Sequence, residues 1–375
     1  MDDAAQAFFA ASLYFFRAAP NLLRNLMSQG LSKMKAATVA SALLASATAV
    51  NITYSNGHDV NSIAPQPLPP PGASSETELI IEIFSALTRS TKWKLVEEIE
   101  FEGSTFEPEG IVRLGPDRYV VSAGEYTMRP DKYPFGPING TDRTTGEGFA
   151  HLIVFDGQGR RVADATLTPP GETEYHNGGI DYDGMYIWAT LSEYRPNSTA
   201  TLVRIDPSTL EPEKILRIRD HQGGVVHDLT TGHLATLNWG SRAASLWHLG
   251  YKAAALPGFT SPRARVVNPS HWIDYQDCKY LGHSKTYDFR ALMICSGIAD
   301  IGGEEGQQEK VRVGGVAIVD VLSMIPLVQV PIPMVTRDGT AMTKNPFDVA
   351  VVDGRMRFYF LPEEEHSTLY VFEVE

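Results

Sequence analysis

The chain has 375 residues, 43% of them hydrophobic and 10% aromatic, enough apolar side chain for a large packed core, which excludes a disordered protein. Its formal net charge of −13, with 32 scattered Lys and Arg residues, leaves no basic face for a phosphate backbone or an anionic membrane surface, which excludes nucleic acid as a partner.

Residues 1–33 form an N-terminal extension with an amphipathic stretch, either an over-extended start or an anchor. Residues 34–49 read as a secretory signal peptide: Met34 and Lys35, a short apolar run, then Ala47-Thr48-Ala49 as an A-x-A cleavage pattern. The run is too short to span a bilayer comfortably, so the mature domain is not expected to be stably inserted in a membrane. Asn51, Asn139 and Asn197 each begin an Asn-x-Thr glycosylation sequon, in keeping with a secreted protein. Residues 50–76, rich in Pro and Ser from Asn56 onward, read as a linker.

The folded part is expected at 77–375, opening with one short helix over ELIIEIFSALTRS. Beyond it, short β-branched and aromatic runs alternate with Gly, Asp, Asn and Pro turns, and almost nothing has a helical period. These runs repeat. Gly110 in PEGIVRL, Gly179 in HNGGIDYD, Gly224 in HQGGVVHD, Ile273 in HWIDYQDC and Phe347 in NPFDVAVVDG each open a unit. The second strands of the first two units rhyme (SAGEYTMRP and TLSEYRPNS), as do later strands of several units (HLIVFDGQG, TLVRIDPST, VAIVDVLSM). Repeats of about four strands predict an all-β fold, a single β-propeller of five to six four-stranded blades with six expected, closed by WKLVEEIEF pairing with the last blade.

In this frame the paired glycines of the two His-x-Gly-Gly segments are architectural, because innermost strands crowd at the axis. The polar residues beside them face the place where a propeller keeps a site. The strand openings bring Glu109, His176, Asn177, His221, Gln222, Asp228, His271, Asp274, Gln276 and Asn345, with Tyr175, Trp239, Trp272 and Phe347 nearby. Glu125, Tyr126, Arg129, Glu193, Tyr194 and Arg195, at the ends of the rhyming second strands, add a second polar layer. Cys278 and Cys295 lie in two strand-like runs joined by a turn and are either a disulfide across a hairpin or two buried thiols.

One chemical reading makes Glu109, Asn177, Asp228, Asp274 and Asn345 oxygen ligands of a calcium ion, as in six-bladed lactonases, whose first ligand motif PEGI loosely resembles. No G-x-S-x-G elbow, phosphate loop, dinucleotide fingerprint or HExxH is present. A pocket of His, Asn, Gln, Tyr and Trp instead suits a flat, partly apolar small molecule, held without a cofactor. A non-catalytic secreted ligand-binding propeller would have the same composition.

The run HNGGIDYDGMYIWATLSEYRPNS, followed by DHQGGVVHD, WIDYQDCKYLG and TKNPFDV, resembles a family of fungal and bacterial secreted propeller proteins over about residues 90–375. Within that family the chain is similar to the fungal hetero-Diels–Alderases of tropolone-sesquiterpenoid biosynthesis. The resemblance implies intermolecular cycloaddition of a tropolone-type ortho-quinone methide with humulene, the substrates being neutral and apolar and no cofactor being required. Blade position, not the resemblance, nominates His176, His271 and Gln276 as catalytic polar contacts. It places Tyr175, Asn177, His221, Trp239, Trp272 and Phe347 around the substrate.

Overall fold

The computed structural model describes residues 50–249, 258–270, 272–302 and 311–375. The expected extension (1–33), signal peptide (34–49) and His271 lie outside the described residues.

Among the described residues the strands form five antiparallel sheets, the blades of a β-propeller. Blade 1 is β3 (Glu107–Arg113), β4 (Arg118–Met128), β5 (Glu147–Asp156) and β6 (Arg161–Thr166), with β1 (Asn51–Tyr54) added outside β6. Blade 2 has an inner strand in two pieces, β7 (His176–Asn177) and β8 (Asp181–Tyr182), then β9 (Ile187–Ser192), β10 (Ala200–Ile205) and β11 (Pro212–Ile218). Blade 3 is β12 (Gly224–Asp228), β13 (His233–Leu237), β14 (Ala243–His248) and β15 (Ala264–Val267). Blade 4 is β16 (Asp274–Ser284), β17 (Arg290–Ile301), β18 (Val311–Asp320) and β19 (Pro326–Ile332). Blade 5 is β20 (Phe347–Val352), β21 (Arg355–Phe360), β22 (Thr368–Val374) and, outermost, β2 (Trp93–Glu100). The ring closes as the sequence suggested, with Trp93 opposite Val374 and Glu100 opposite Thr368. The number of blades is five rather than the expected six. Each of the five strand openings starts one inner strand, and no sixth is needed to close the circle.

Blades are covered on both faces, so their central strands are apolar almost throughout, as in β5. Five hydrophobic clusters fill the five gaps between neighbouring blades, for example Ile153 and Val121 against Val371 and Tyr359, or Leu237 and Val226 against Met293 and Cys295. Cys278 and Cys295 sit opposite each other on β16 and β17 and are disulfide-bonded.

The segment expected to be a linker is instead part of the fold. β1 extends blade 1, Ile63 is fully buried between blades 1 and 2, and the Pro69 carbonyl accepts a hydrogen bond from the Tyr182 hydroxyl. Helices α1 (Gly72–Ser75) and α2 (Thr77–Ser85) follow, and Ile80, Ile81 and Phe84 of α2 pack into the cluster between blades 4 and 5. The prolines shape an irregular path, and Ile63 and Leu68 anchor it to the propeller by apolar burial.

The axis itself is a buried polar plug. Lys279 donates to Asp277 Oδ1 at 2.6 Å and to the Ile180 carbonyl at 2.7 Å, and both side chains are sealed from solvent. The other Asp277 oxygen accepts from Ile111 N on blade 1 and Phe347 N on blade 5, tying three blades together. Asp181 and Asp348 likewise accept inner-strand N–H groups of adjacent blades. Burial raises the carboxyls of Asp181 and Asp277 to about 7, against the pull of Lys279.

Candidate functional site

The paired glycines are architectural in the structure. A Cβ on Gly178 would lie 2.5 Å from the Gly223 carbonyl oxygen, and Gly179 N donates to that same oxygen at 2.9 Å. This close approach breaks the inner strand of blade 2 and sets His176 and His221, from adjacent blades, with ring centroids 5.2 Å apart.

Around the two histidines the rhyming second strands deliver Tyr126 (end of β4) and Tyr194 (after β9). Tyr194 stacks on His176 at 5.0 Å and meets Trp239 edge-on at 5.3 Å, and Trp239 also contacts His221 at 4.9 Å. Tyr126 stands edge-on to Tyr175 and to Tyr194. Two carboxylates from β3 complete the group, next to a β-bulge at Pro108/Gly110. Glu109 Oε1 lies 3.4 Å from His176 Nε2, and Glu107 accepts the Tyr126 hydroxyl.

The electrostatics divide these residues into complementary roles. Burial, reinforced by the neighbouring Glu109 charge, raises the Glu107 carboxyl to about 7, so near neutrality it is a proton donor. Burial disfavours a charge on His176, but the Glu109 carboxylate outweighs it and raises the imidazole. Burial and the His176 charge hold His221 neutral, its pKa lowered to about 3. Since His221 Nδ1–H donates to the Glu193 carbonyl at 2.8 Å, its Nε2 keeps a lone pair. An acid, an ion pair and a neutral acceptor thus share one aromatic enclosure.

The loop 129–146, between β4 and β5, leans over this enclosure. Arg143, locked to Asp142 at 2.8 and 2.9 Å, lies over Trp239 at 4.8 Å and Tyr194 at 5.5 Å. The Tyr175 hydroxyl donates to the Thr145 carbonyl, and Asn197 Nδ2 to the Gly140 carbonyl. Long loops on a rigid scaffold are where binding residues concentrate.

Four of the expected site residues, Tyr175, His176, His221 and Trp239, therefore come together. Others do not. Asn177 is fully buried and donates to the His151 carbonyl, which makes it a tie between blades 1 and 2. Phe347, expected against substrate, is buried in the cluster under α2, because the first residue of an inner strand faces the blade gap. Trp272 packs over Gly315, where a Cβ would come within 2.4 Å of the indole, so it is a wedge on blade 4. Gln276 is half-buried on blade 4 and its Nε2 donates to the Asp274 carbonyl at 3.4 Å. Glu107 and Arg143 were not singled out from the sequence. Nothing local marks Glu107, and Arg143 acts from a loop whose direction depends on the whole ring.

The five calcium-ligand candidates are dispersed. Glu109 pairs with His176, Asn177 with the His151 carbonyl, Asp274 with Arg242 at 2.6 Å and Asn345 with the Pro362 carbonyl. Asp228 ends β12 whereas Gly224 begins it, which puts it about 13 Å further along at a strand's rise per residue, and there it binds His283. Among the described residues no group of three or more His, Cys, Asp or Glu side chains could hold a metal ion. Among them, too, no helix is long and apolar enough to cross a membrane. Asn51, Asn139 and Asn197 are all exposed.

Solved structures similar to this chain share little sequence with it. A mannose phosphorylase from Leishmania mexicana, MPT-4, is 11% identical with a TM-score of 0.41, over 79% of this chain and 93% of that one. The WD40 domain of Toxoplasma gondii coronin is 8% identical with a TM-score of 0.32, over 77% and 87%. Kuenenia stuttgartiensis hydrazine synthase is 11% identical with a TM-score of 0.31, over 60% of this chain, which spans only 59% of that one. No functionally curated protein matches the sequence. The model of a family of unknown function, DUF6454, matches residues 67–374, from the segment before α1 to the end of blade 5, and the chain belongs to that family.

Proposed function

We propose that the protein is a cofactor-independent hetero-Diels–Alderase that dehydrates a tropolone-type alcohol to an ortho-quinone methide and joins it to humulene. The observation that carries the reading is the clustering of Glu107, Glu109, His176 and His221 with the rings of Tyr126, Tyr194 and Trp239, where burial raises the Glu107 carboxyl and lowers the His221 imidazole.

In this reading Glu107 gives its proton to the leaving hydroxyl while the ring hydroxyl gives its proton to the Glu109 carboxylate, and His221 Nε2 accepts a hydrogen bond that orients the substrate. The C–O bond breaks, water departs and the quinone methide remains, with no change of oxidation state. The quinone methide then forms one C–C and one C–O bond to the alkene, closing a dihydropyran, and the proton held by the base returns to Glu107. The aromatic walls hold both partners in register, which lowers the barrier by preorganisation. The His176 imidazolium stabilises negative charge growing on the quinone-methide oxygen, while the Tyr126 hydroxyl holds Glu107 in place. The secretory pathway suits the Cys278–Cys295 disulfide and the exposed sequons at Asn51, Asn139 and Asn197.

The test is incubation of the purified protein with humulene and a quinone-methide precursor, with adducts resolved by chiral chromatography and mass spectrometry. A single enantiomer formed above the background rate, with or without chelator, supports the reading. Racemic adduct at the background rate overturns it for these substrates.

A further inference from the structure

At the opposite end of the barrel from Glu107 and His176, a cavity of about 400 Å³ opens between blades 3 and 4. Its walls are largely apolar, with Val226 from β12, Ala291 from β17 and Val321 after β18, and Phe289 and Leu322 stand on its rim. Two ion pairs lie at its polar side, Asp228 with His283 and Asp320 with Arg290.

Phe289 is placed there against its own backbone preference. It has φ +58° and follows Asp288 at φ +53°, a left-handed pair that a bulky side chain adopts only at a cost. Burial does not offset that cost, since the residue is 64% exposed. The turn is fixed from both sides. Phe289 N donates to the Ser284 carbonyl at 2.7 Å, and Glu78 of α2 accepts from Lys285 N and the Thr286 hydroxyl. Glycine or asparagine would suit the turn better, so the ring is held at the rim for what it touches outside the fold.

The polar groups define what the cavity accepts. Asp228 is occupied by Thr230 N, the Thr231 hydroxyl and His283 Nε2, and Asp320 by Ser323 N, the Ser323 hydroxyl and Arg290. Both carboxylates are thus engaged by internal donors and offer little to a cationic ligand. Arg290 uses one Nη1–H on Asp320 and keeps further guanidinium N–H groups on a side chain 56% exposed. A free anion is disfavoured by Asp228, Asp320 and Asp288 around the cavity and by the net charge of −13.

We infer that this cavity is a second binding site, separate from the acid–base enclosure, for a neutral, mainly apolar molecule carrying one oxygen acceptor such as a ketone or lactone carbonyl. Phe289 and Leu322 cover its apolar body and Arg290 donates to its oxygen.

The probe is 6-propionyl-2-dimethylaminonaphthalene, a neutral naphthyl ketone whose emission shifts to the blue in an apolar site, titrated into the full chain. Expected is a saturable blue shift that Phe289→Gly weakens about tenfold or more and Arg290→Met weakens in the same direction. Trp239→Ala, at the other end, leaves it unchanged. Thermal unfolding of Phe289→Gly is expected to rise, because glycine relieves the turn, which separates loss of the site from loss of the fold. Phe289→Asn, also tolerant of left-handed φ, repeats the test independently. The inference is overturned if the wild type gives no blue shift, if Phe289→Gly and Phe289→Asn bind the dye as the wild type does, or if Trp239→Ala abolishes the shift.

Discussion

Glu107 carries the most chemistry of any single side chain at the upper site. As a general acid it must be protonated, so turnover is expected to fall as pH rises through about 7. Glu107→Gln is expected to lower kcat by about 10²–10⁴-fold and to remove that limb of the pH–rate profile. The same group bears on stability. A carboxyl whose folded pKa is raised binds its proton more tightly folded than unfolded, so its contribution is present at acid pH and lost as pH rises through about 7. His221, lowered to about 3, works in the opposite sense, since the unfolded chain takes up its proton first as pH falls below the ordinary histidine range. Thermal unfolding measured from about pH 5 to 8 should therefore decline less steeply with rising pH in Glu107→Gln than in the wild type. At this scale the sequence was informative where residue type and repeat coincided: His176, His221 and the rhyming Glu-Tyr pairs that hold Tyr126 and Tyr194. It was silent on Glu107, whose proton affinity arises from burial beside Glu109, and it misplaced Phe347, because which face of a strand a residue occupies depends on the neighbouring blade.

Among the elements, α2 and the disulfide hairpin make the sharpest predictions. Phe84 is fully buried, with its ring centroid 6.4 Å from that of Phe358, so Phe84→Ala should cost about 3–5 kcal/mol in denaturant unfolding. A mere tether at this position would cost almost nothing. Replacing Cys278 and Cys295 together by Ser opens a link across 17 residues of chain and should lower stability by about 3 kcal/mol by the loop-entropy estimate, read as a lower midpoint in denaturant unfolding. Strand openings and the ring-closing role of β2 were legible because alternation and turn residues are local. The packing of residues 50–76 onto the propeller was not. Its anchors are isolated apolar residues such as Ile63 among prolines, and burial without periodicity leaves no pattern in a sequence.

For the whole molecule the axial plug replaces an open channel. Lys279 lies among three buried carboxylates, Asp277, Asp181 and Asp348, that hold inner strands of all five blades by accepting their N–H groups or contributing their own backbone. Lys279→Met leaves Asp277 buried without its partner and should cost about 3–5 kcal/mol near pH 8. The loss should shrink toward pH 5, where Asp277, with its carboxyl near 7, is already neutral; equal losses at both pH values would refute the assignment. The blade count was misjudged because units of unequal length blur the period.

The pairing of β2 with β22 has a kinetic consequence. Arg357 and Glu97, which pair across that closing sheet, are 260 residues apart in the chain, so the ring becomes circular only after almost every other element is in place. Such a topology assembles slowly and leaves the outer edge of β22 unpaired while it waits. Once shut, no blade can peel away without reopening the seam, so the protein's resistance to proteases is expected to reflect a slow escape rate more than a deep equilibrium well.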